Sequence, residues 1–364
     1  MTQSRHPWRF RLATVVIAAL AFGVQQLCAI APAFTERWYS QGVYPLLARG
    51  LHLLTAWSPV ALGEVGLLAL IGWTIVRFLR GIRRAWRREI RWVDAGLRGF
   101  TWSASVLSIG FTLFILLWGI NHSREPFGKR IGIDRAETST AALARTAEKL
   151  ALRATSTRPA GMQSIYDELD GRWRTGVAIA YAAAGRELPV LAGPPPMLRF
   201  PWISRILTLT STAGIYSPFT GESNVNADMP VIWMAFSALH ESAHFRGYAR
   251  EDDANFIAWW VGSKSDDPLL RYAVEFMAWR YAMAPLKRAD YGEWKRVRGL
   301  VSPEVLADER AEREFWDRQP KRLHETLTTI ANITNDAYLR SAGHGDGIAS
   351  YGRVVDWLVA VLER

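Results

Sequence analysis

Cys28 is the only cysteine in this chain of 364 residues. No disulfide can therefore form within it, and no metal site can be built on thiolates. Any metal must be held by histidine and carboxylate. Gln25-Gln26-Leu27 precede Cys28 where a lipid-modified cysteine would follow small residues, so Cys28 reads as an apolar filler within a helix. Internal repeats at solenoid periods are also missing. So, over most of the chain, is any imbalance of charge. The net charge is +10, from 44 basic and 34 acidic residues. Arg5, Arg9 and Arg11, with the eight arginines between Arg77 and Arg98, account for nearly all of it, since only Glu89 and Asp94 offset them. What remains is 33 basic residues against 32 acidic. A near-neutral remainder has no basic stripe of the kind that nucleic-acid binders show, so the high charge speaks of topology.

What is present is hydrophobicity, 49% of residues, concentrated in three runs. Leu12 to Phe34 has no charged residue and has the length of about 20 residues that a bilayer core requires. Residues 58–76 form a second run interrupted only by Glu64, which sits at the end where a carboxylate can reach headgroups. Residues 99–120 form a third, with Trp102 and Trp118 near its ends as interfacial aromatics. The first run also has the layout of a cleaved signal peptide, with a basic start and Ala31-Pro32-Ala33 at its close, but its length and Pro32 favour a span. Residues 77–98 then form a short arginine-rich loop. The positive-inside rule places such a loop in the cytoplasm, with the N-terminus, and places everything after Ile120 outside it. The chain is thus expected to divide into a membrane anchor, residues 1–120, and an extracytoplasmic domain, residues 121–364. The weakly charged stretch from Glu36 to Trp57 lies on the same outer side, where it can cover part of that domain. A channel or transporter is disfavoured, because three spans with one ionisable residue offer no pathway.

Beyond Asn121 the pattern becomes that of a folded domain. Residues 141–153 alternate Ala and Leu with Arg, Glu and Lys at helical spacing. Leu188 to Pro201 contains Pro194-Pro195-Pro196 and is read as a stiff, non-helical connection. Ile206 to Thr212 is short and β-branched, a candidate strand. Gly214 to Asn226 places turn residues around aromatic ones.

Residues 231–245 contain no breaker, and Pro230 and Asp228 suit a helix start. Within this helix lies His240-Glu241-Ser242-Ala243-His244. Positions four apart share a helix face, so both imidazoles can address one ion. Glu241 is placed to reach a water on that ion, take its proton and return it to a leaving amine, while the metal lowers the water's pKa toward ~7. A chance match to this pattern somewhere in the chain has a probability of roughly 1 in 100. The bland alternative is a pair of histidines satisfied by hydrogen bonds alone. Gly247 suits the helix end, and Arg246 and Arg250 are placed to complement carboxylates. A catalytic zinc takes a third protein ligand. Glu251 is the expected one, because it shares a face with Ala254, Asn255 and Ala258, small enough for the two helices to approach; Asp253 is the alternative, and an acid that only complements the helix dipole is the bland reading of either. Tyr216, Phe219, Glu222 and Asn224 are candidates for the wall of a substrate cleft. Tyr216 and Tyr272 are candidate donors to an oxyanion, with core packing as the competing role. His324 and His344 read as surface residues.

Taken together, Pro218-Phe219-Thr220-Gly221-Glu222, His240 to His244 followed by Arg246-Gly247, and Arg250 to Phe256 resemble a family of uncharacterised bacterial membrane proteins, domain of unknown function 3810. Tyr338-Leu339 and Ser350-Tyr351-Gly352 extend the likeness. More distantly, Glu251-x-x-Ala254-Asn255 is similar to the helix that supplies the third zinc ligand in gluzincin-type peptidases, although the gap from His244 to Glu251 is shorter than in most of them. Where relatives often have Glu, this chain has Asp253. The resemblance implies a mainly α protein, three N-terminal transmembrane helices followed by an α+β zincin-like domain. It also implies one Zn²⁺ per chain and a location in the bacterial inner membrane. The partners expected are the bilayer and a peptide or protein substrate. A non-catalytic envelope protein that keeps the fold to bind a partner or metal is the competing reading. Retention of Glu241 speaks against it, because metal binding alone does not require that carboxylate.

Overall fold

The structure is a computed structural model that describes residues 7–135, 138–341 and 353–364. His344 and Ser350-Tyr351-Gly352 lie outside the described residues. Helices α1 (Pro7–Ile30), α4 (Leu62–Trp86) and α5 (Trp92–Leu117) are long and apolar enough to cross a membrane. α1 and α4 each pack against α5, and their outward sides carry exposed Leu20, Ile71 and Leu107. Such surfaces suit a lipid bilayer, where the surroundings are as apolar as the side chains.

The helices overrun the apolar runs. α4 starts at Leu62 and continues to Trp86, and α5 starts at Trp92, so the arginines expected in a loop between spans stand mostly on helix ends. Only a tight turn at residues 87–91 is left. A helix has no reason to stop where hydrocarbon stops, since its backbone bonds are internal. Between α1 and α4 lie a short helix α2 (Pro32–Thr35), a π-helical turn (Glu36–Val43) and α3 (Tyr44–Thr55). Tyr44 and Ala48 of α3 are buried against Met197, Tyr216, Phe245 and Ala249. Residues ahead of position 121 are therefore packed into the core of the C-terminal part of the chain.

The rest of the chain is mainly helical: α6 (Phe127–Arg130), α7 (Thr140–Thr157), α8 (Trp173–Glu187), α9 (Ser204–Leu209), α10 (Val231–Phe245), α11 (Glu251–Gly262), α12 (Pro268–Ala289), α13 (Tyr291–Arg298), α14 (Pro303–Asp317), α15 (Lys321–Ser341) and α16 (Val354–Leu362). One small sheet interrupts them: β1 (Met197–Arg199), β2 (Gly214–Ser217) and β3 (Glu222–Val225), in the order β1-β3-β2. β3 runs parallel to β1 and antiparallel to β2, with Tyr216 opposite Ser223. α10 lies against the sheet and contacts α11 and α12. Its residues Ala235, Ala238, Leu239 and Ala243 are fully buried.

The segment Ile206–Thr212 is not a strand. Residues 204–209 form α9. The cause is tertiary: Glu64 at the head of α4 accepts the backbone N–H groups of Trp202 and Ile203 at 2.9 and 2.8 Å. Those amides precede a helical turn and are left open by it, so a carboxylate there favours the turn over β propensity. In return, Glu222 of β3 accepts from Leu62 and Gly63 N–H, both at 2.8 Å, at the N-terminus of α4. The proline-rich connection expected at 188–201 contains a 3₁₀ turn (Pro189–Leu191) and β1. The helix expected at 141–153 is α7, which buries Leu143, Ala147, Leu150 and Ala154 and packs on α12.

Candidate metal centre

α10 ends where its sequence needs it to end. Gly247 has φ +80°, and the N–H groups of Gly247 and Tyr248 return to the carbonyls of His244 and Ala243 at 2.8 and 3.2 Å. This is a left-handed helix stop that glycine adopts without steric cost. A side chain at that position would also meet the Tyr44 ring at 2.8 Å. The turn is pinned further by Arg124, whose Nη1 donates to Arg246 O at 2.7 Å and whose Nε pairs with Glu36 at 3.1 Å. Arg124 also stacks 3.8 Å from the Tyr248 ring centre. The chain reverses in five residues, 246–250, and brings the first residue of α11 back over the last turns of α10.

That residue is Glu251. Its Oε2 lies 3.2 Å from His240 Nε2 and 3.7 Å from His244 Nε2. The imidazoles stand at 88° to each other with ring centres 4.7 Å apart. Among the described residues, this is the one place where three or more His, Cys, Asp or Glu side chains bring ligand atoms within 4.8 Å of one another. Asp253 does not join them. It accepts from Phe127 N–H at 3.1 Å and pairs with Arg250 at 3.5 Å. The short gap between His244 and Glu251 thus permits convergence, because the glycine stop supplies the reversal.

The donor set suits a divalent cation. His240 Nδ1 bonds Asn255 Oδ1 at 2.8 Å, and His244 Nδ1 bonds the Tyr248 carbonyl at 2.7 Å. Each acceptor fixes the proton on Nδ1 and leaves the Nε2 lone pair facing Glu251, the arrangement found behind metal-binding histidines. With bonds of about 2.0–2.1 Å to a tetrahedral zinc, ligand atoms stand about 3.3–3.4 Å apart, and Glu251 Oε2 stands 3.2 and 3.7 Å from the two Nε2 atoms. On its own, the Glu251 carboxylate favours a proton on His244. Burial lowers the His244 pKa, but the hydrogen bond and charge of Glu251 more than offset this and raise it to about 9. On Glu251 burial acts upward instead, and its bonds to His240 and His244 outweigh it, holding the carboxyl well below its usual range.

Glu241 is 4% exposed and its Oε2 has no hydrogen-bond partner. Burial raises its pKa, against the pull of the two histidines. A Cβ on Gly214 would stand 2.6 Å from Glu241 Oε1, so the bare backbone of β2 is what leaves room for the carboxylate. The residues open onto a cavity of about 590 Å³ lined by β2, α10, Glu251, Asn255, Tyr281 and residues 331, 332 and 335 of α15. Trp118 and His244 meet edge to face, with ring centres 5.6 Å apart.

Of the expected cleft residues, Tyr216 lines this cavity, its hydroxyl 3.1 Å from that of Tyr44. Phe219, Glu222 and Asn224 do not line it. Phe219 is exposed, Glu222 caps α4, and Asn224 Nδ2 donates to Ile215 O at 3.1 Å. Tyr272 donates to Asp308 at 2.5 Å within the core, away from the cavity. His324 stacks on Trp316 with ring centres 5.7 Å apart. Arg250 pairs with Asp252 and Asp253, whereas the Nε of Arg246 donates to Leu191 O at 2.8 Å. Tyr281 and Trp118 are cavity residues that sequence reading missed, and only their proximity in space marks them; Gly214 opens the segment expected as the cleft wall. Asn255 had a partial signal, its place on the Glu251 face of α11.

No curated protein and no solved structure matches the chain. Residues 39–359 match one sequence family, described as "Protein of unknown function (DUF3810)".

Proposed function

The chain belongs to the DUF3810 family, whose description carries no activity, and from its own site we propose that it is a zinc-dependent metallopeptidase held in a membrane by its three apolar helices. The observation that carries this reading is the convergence of His240, His244 and Glu251 beside a buried Glu241 oxygen that nothing in the fold satisfies. Histidines kept only for structure would not need that oxygen, and an unpaired buried carboxylate is costly.

In this reading His240, His244 and Glu251 hold one zinc ion per chain. When bound, the ion supplies Lewis acidity, lowering the pKa of water toward ~7 and polarising a carbonyl. Asn255 and the Tyr248 carbonyl orient the two imidazoles from behind. Glu241 accepts a proton from water in the cleft and delivers it to the amine nitrogen that departs, so the peptide C–N bond breaks while the new C–O bond forms. β2 is the edge strand of its sheet, and its residues Gly214 and Ile215 line the cavity. An extended peptide can lie along such an edge, its backbone paired with the strand. The helix with two histidines, the glutamate on the following helix and the adjoining edge strand are what support reading this part as zincin-like. The arginines at the joined ends of α4 and α5 support a cytoplasmic position for that end, which puts the cleft outside. The inner membrane of a bacterium fits this topology, with an envelope protein or peptide as substrate.

The test is metal content and hydrolysis by the purified full chain. About one zinc per chain is expected, lost in the double variant His240→Ala/His244→Ala. Glu241→Gln should keep the zinc and fail to cleave a mixed peptide library read by mass spectrometry. Stoichiometric zinc in the double-histidine variant, or cleavage by Glu241→Gln at the rate of the unaltered chain, would remove the basis of the reading.

A further inference from the structure

α4 and α5 do not meet along their whole length. Where the turn at residues 87–91 joins them, they frame a cleft of about 440 Å³ lined by Arg77, Arg80, Arg84 and Arg98, with Trp73 and Trp102 on its wall. The indoles meet edge to face with centres 5.2 Å apart, and the Arg77 guanidinium lies 5.2 Å from the centre of the Trp102 ring. Arg84 pairs with Glu89 at 3.2 Å. Among the described residues, Arg77, Arg80 and Arg98 form no ion pair, since the other acid of this region, Asp94, pairs with Arg91. Three guanidiniums that form no ion pair repel each other around one cavity, and an anion placed between them removes that repulsion.

We propose that this cleft binds the headgroup of an anionic phospholipid. Two features favour a lipid over a soluble anion. Arg77 stands fifteen residues along α4 from Leu62, roughly 22 Å at the helical rise, which is still within the ~30 Å of a hydrocarbon core. From there its aliphatic stem can carry the charge to the interface, where the bilayer itself supplies phosphate. The rim of the cleft, moreover, is apolar and outward-facing, with Phe78 and Ile82 exposed. These are surfaces for acyl chains, continuous with the guanidiniums that take the phosphate. Arginine suits the task because its planar fork bonds two phosphate oxygens at once. The inference rests on α4 and α5 crossing a bilayer and is independent of the metal site.

A uniform attraction of basic residues to an anionic surface is the competing explanation, and three arginines outside the cleft separate the two. Arg83, Arg87 and Arg88 belong to the same helix end and turn but do not line the cavity. The full chain is taken from nanodiscs of mixed phosphatidylglycerol and phosphatidylcholine and examined by native mass spectrometry. One phosphatidylglycerol per chain is expected to stay bound. Retention should fall at least tenfold in Arg77→Gln/Arg80→Gln/Arg98→Gln and stay unchanged in Arg83→Gln/Arg87→Gln/Arg88→Gln, which loses the same charge. Equal loss in both triple variants, or equal retention of phosphatidylcholine, would overturn the proposal. Should the cleft variant fail to fold, the unaltered chain still decides. Phosphatidylglycerol should raise its unfolding temperature where phosphatidylcholine and soluble glycerol phosphate do not, and no difference among the three counts against a lipid site. Zinc content is measured alongside, so that a failure of the metal reading shows separately.

Discussion

His240 reaches Glu251 in the right orientation only because Asn255 holds its far nitrogen at 2.8 Å. The same asparagine has a buried Nδ2 with no partner, so its presence brings the fold an unsatisfied donor together with a useful acceptor. Asn255→Ala removes both. Little change in stability is therefore expected, since a lost hydrogen bond is set against a relieved buried group. Metal affinity, by contrast, should drop about 10–100-fold, the usual effect of removing the group behind a ligating histidine. Competition with a zinc chelator, run beside a thermal unfolding curve, checks both halves. An unfolding temperature that falls steeply while affinity holds would make Asn255 a packing residue. The motif itself was legible at this scale: two histidines four apart on an unbroken apolar helix, with an acid from the next helix as third member. Its support was not. Tyr44, Trp118 and Tyr281 come from segments up to about two hundred residues away from α10's end, and no local pattern of spacing marks contacts of that range.

Among the elements, α12 holds a carboxylate that the fold only partly compensates. Glu275 is 2% exposed, pairs with Arg153 of α7 at 3.4 Å and accepts from Trp259 Nε1 of α11 at 3.2 Å. Burial raises its pKa, with Arg153 and Trp259 opposing. A raised carboxyl pKa means that the folded state holds its proton to higher pH than the unfolded chain. The stabilising preference for the protonated form is complete below the ordinary value of 4.5 and is lost as pH climbs from there through the folded value. Glu275→Gln keeps a neutral side chain throughout. The variant's unfolding temperature relative to the unaltered chain should therefore rise as pH is raised from about 4 toward 8, and a difference independent of pH would contradict the assignment. Elements also show where sequence patterns stop being informative. α10 was legible because its apolar run has no breaker and ends at Gly247. The three membrane-length helices were legible as apolar runs, but their ends were not, because Arg77 to Trp86 and Trp92 to Arg98 stay helical after the hydrophobicity fades. Ile206 and Thr208 are β-branched and helical all the same, since the Glu64 carboxylate from α4 fixes the turn ahead of them.

For the whole molecule, the division at residue 120 is a division of hydrophobicity and not of packing. Glu36 neutralises the buried Arg124, and Tyr44 and Ala48 close the cluster beneath Tyr216 and Phe245. A fragment of residues 121–364 would leave Arg124 without its counter-charge and bare the apolar face beneath the cleft, losses that each cost several kcal/mol. It is expected to aggregate or to unfold well below the temperature of the full chain, as size-exclusion chromatography and thermal unfolding would report. A soluble, cooperatively folding fragment would show that α3 is dispensable. The paired carboxylates have a different consequence. Glu222 of the sheet holds the first amides of α4, and Glu64 of α4 holds the amides before α9, so each side clasps the other. Tyr216, a few residues from this clasp on β2, lines the cavity. If α4 enters the bilayer where its apolar run begins, the clasp sets the height of the cleft above the lipid. The cavity is thereby held in register with the head of α4, so a movement of that helix along its own axis would carry the cavity with it.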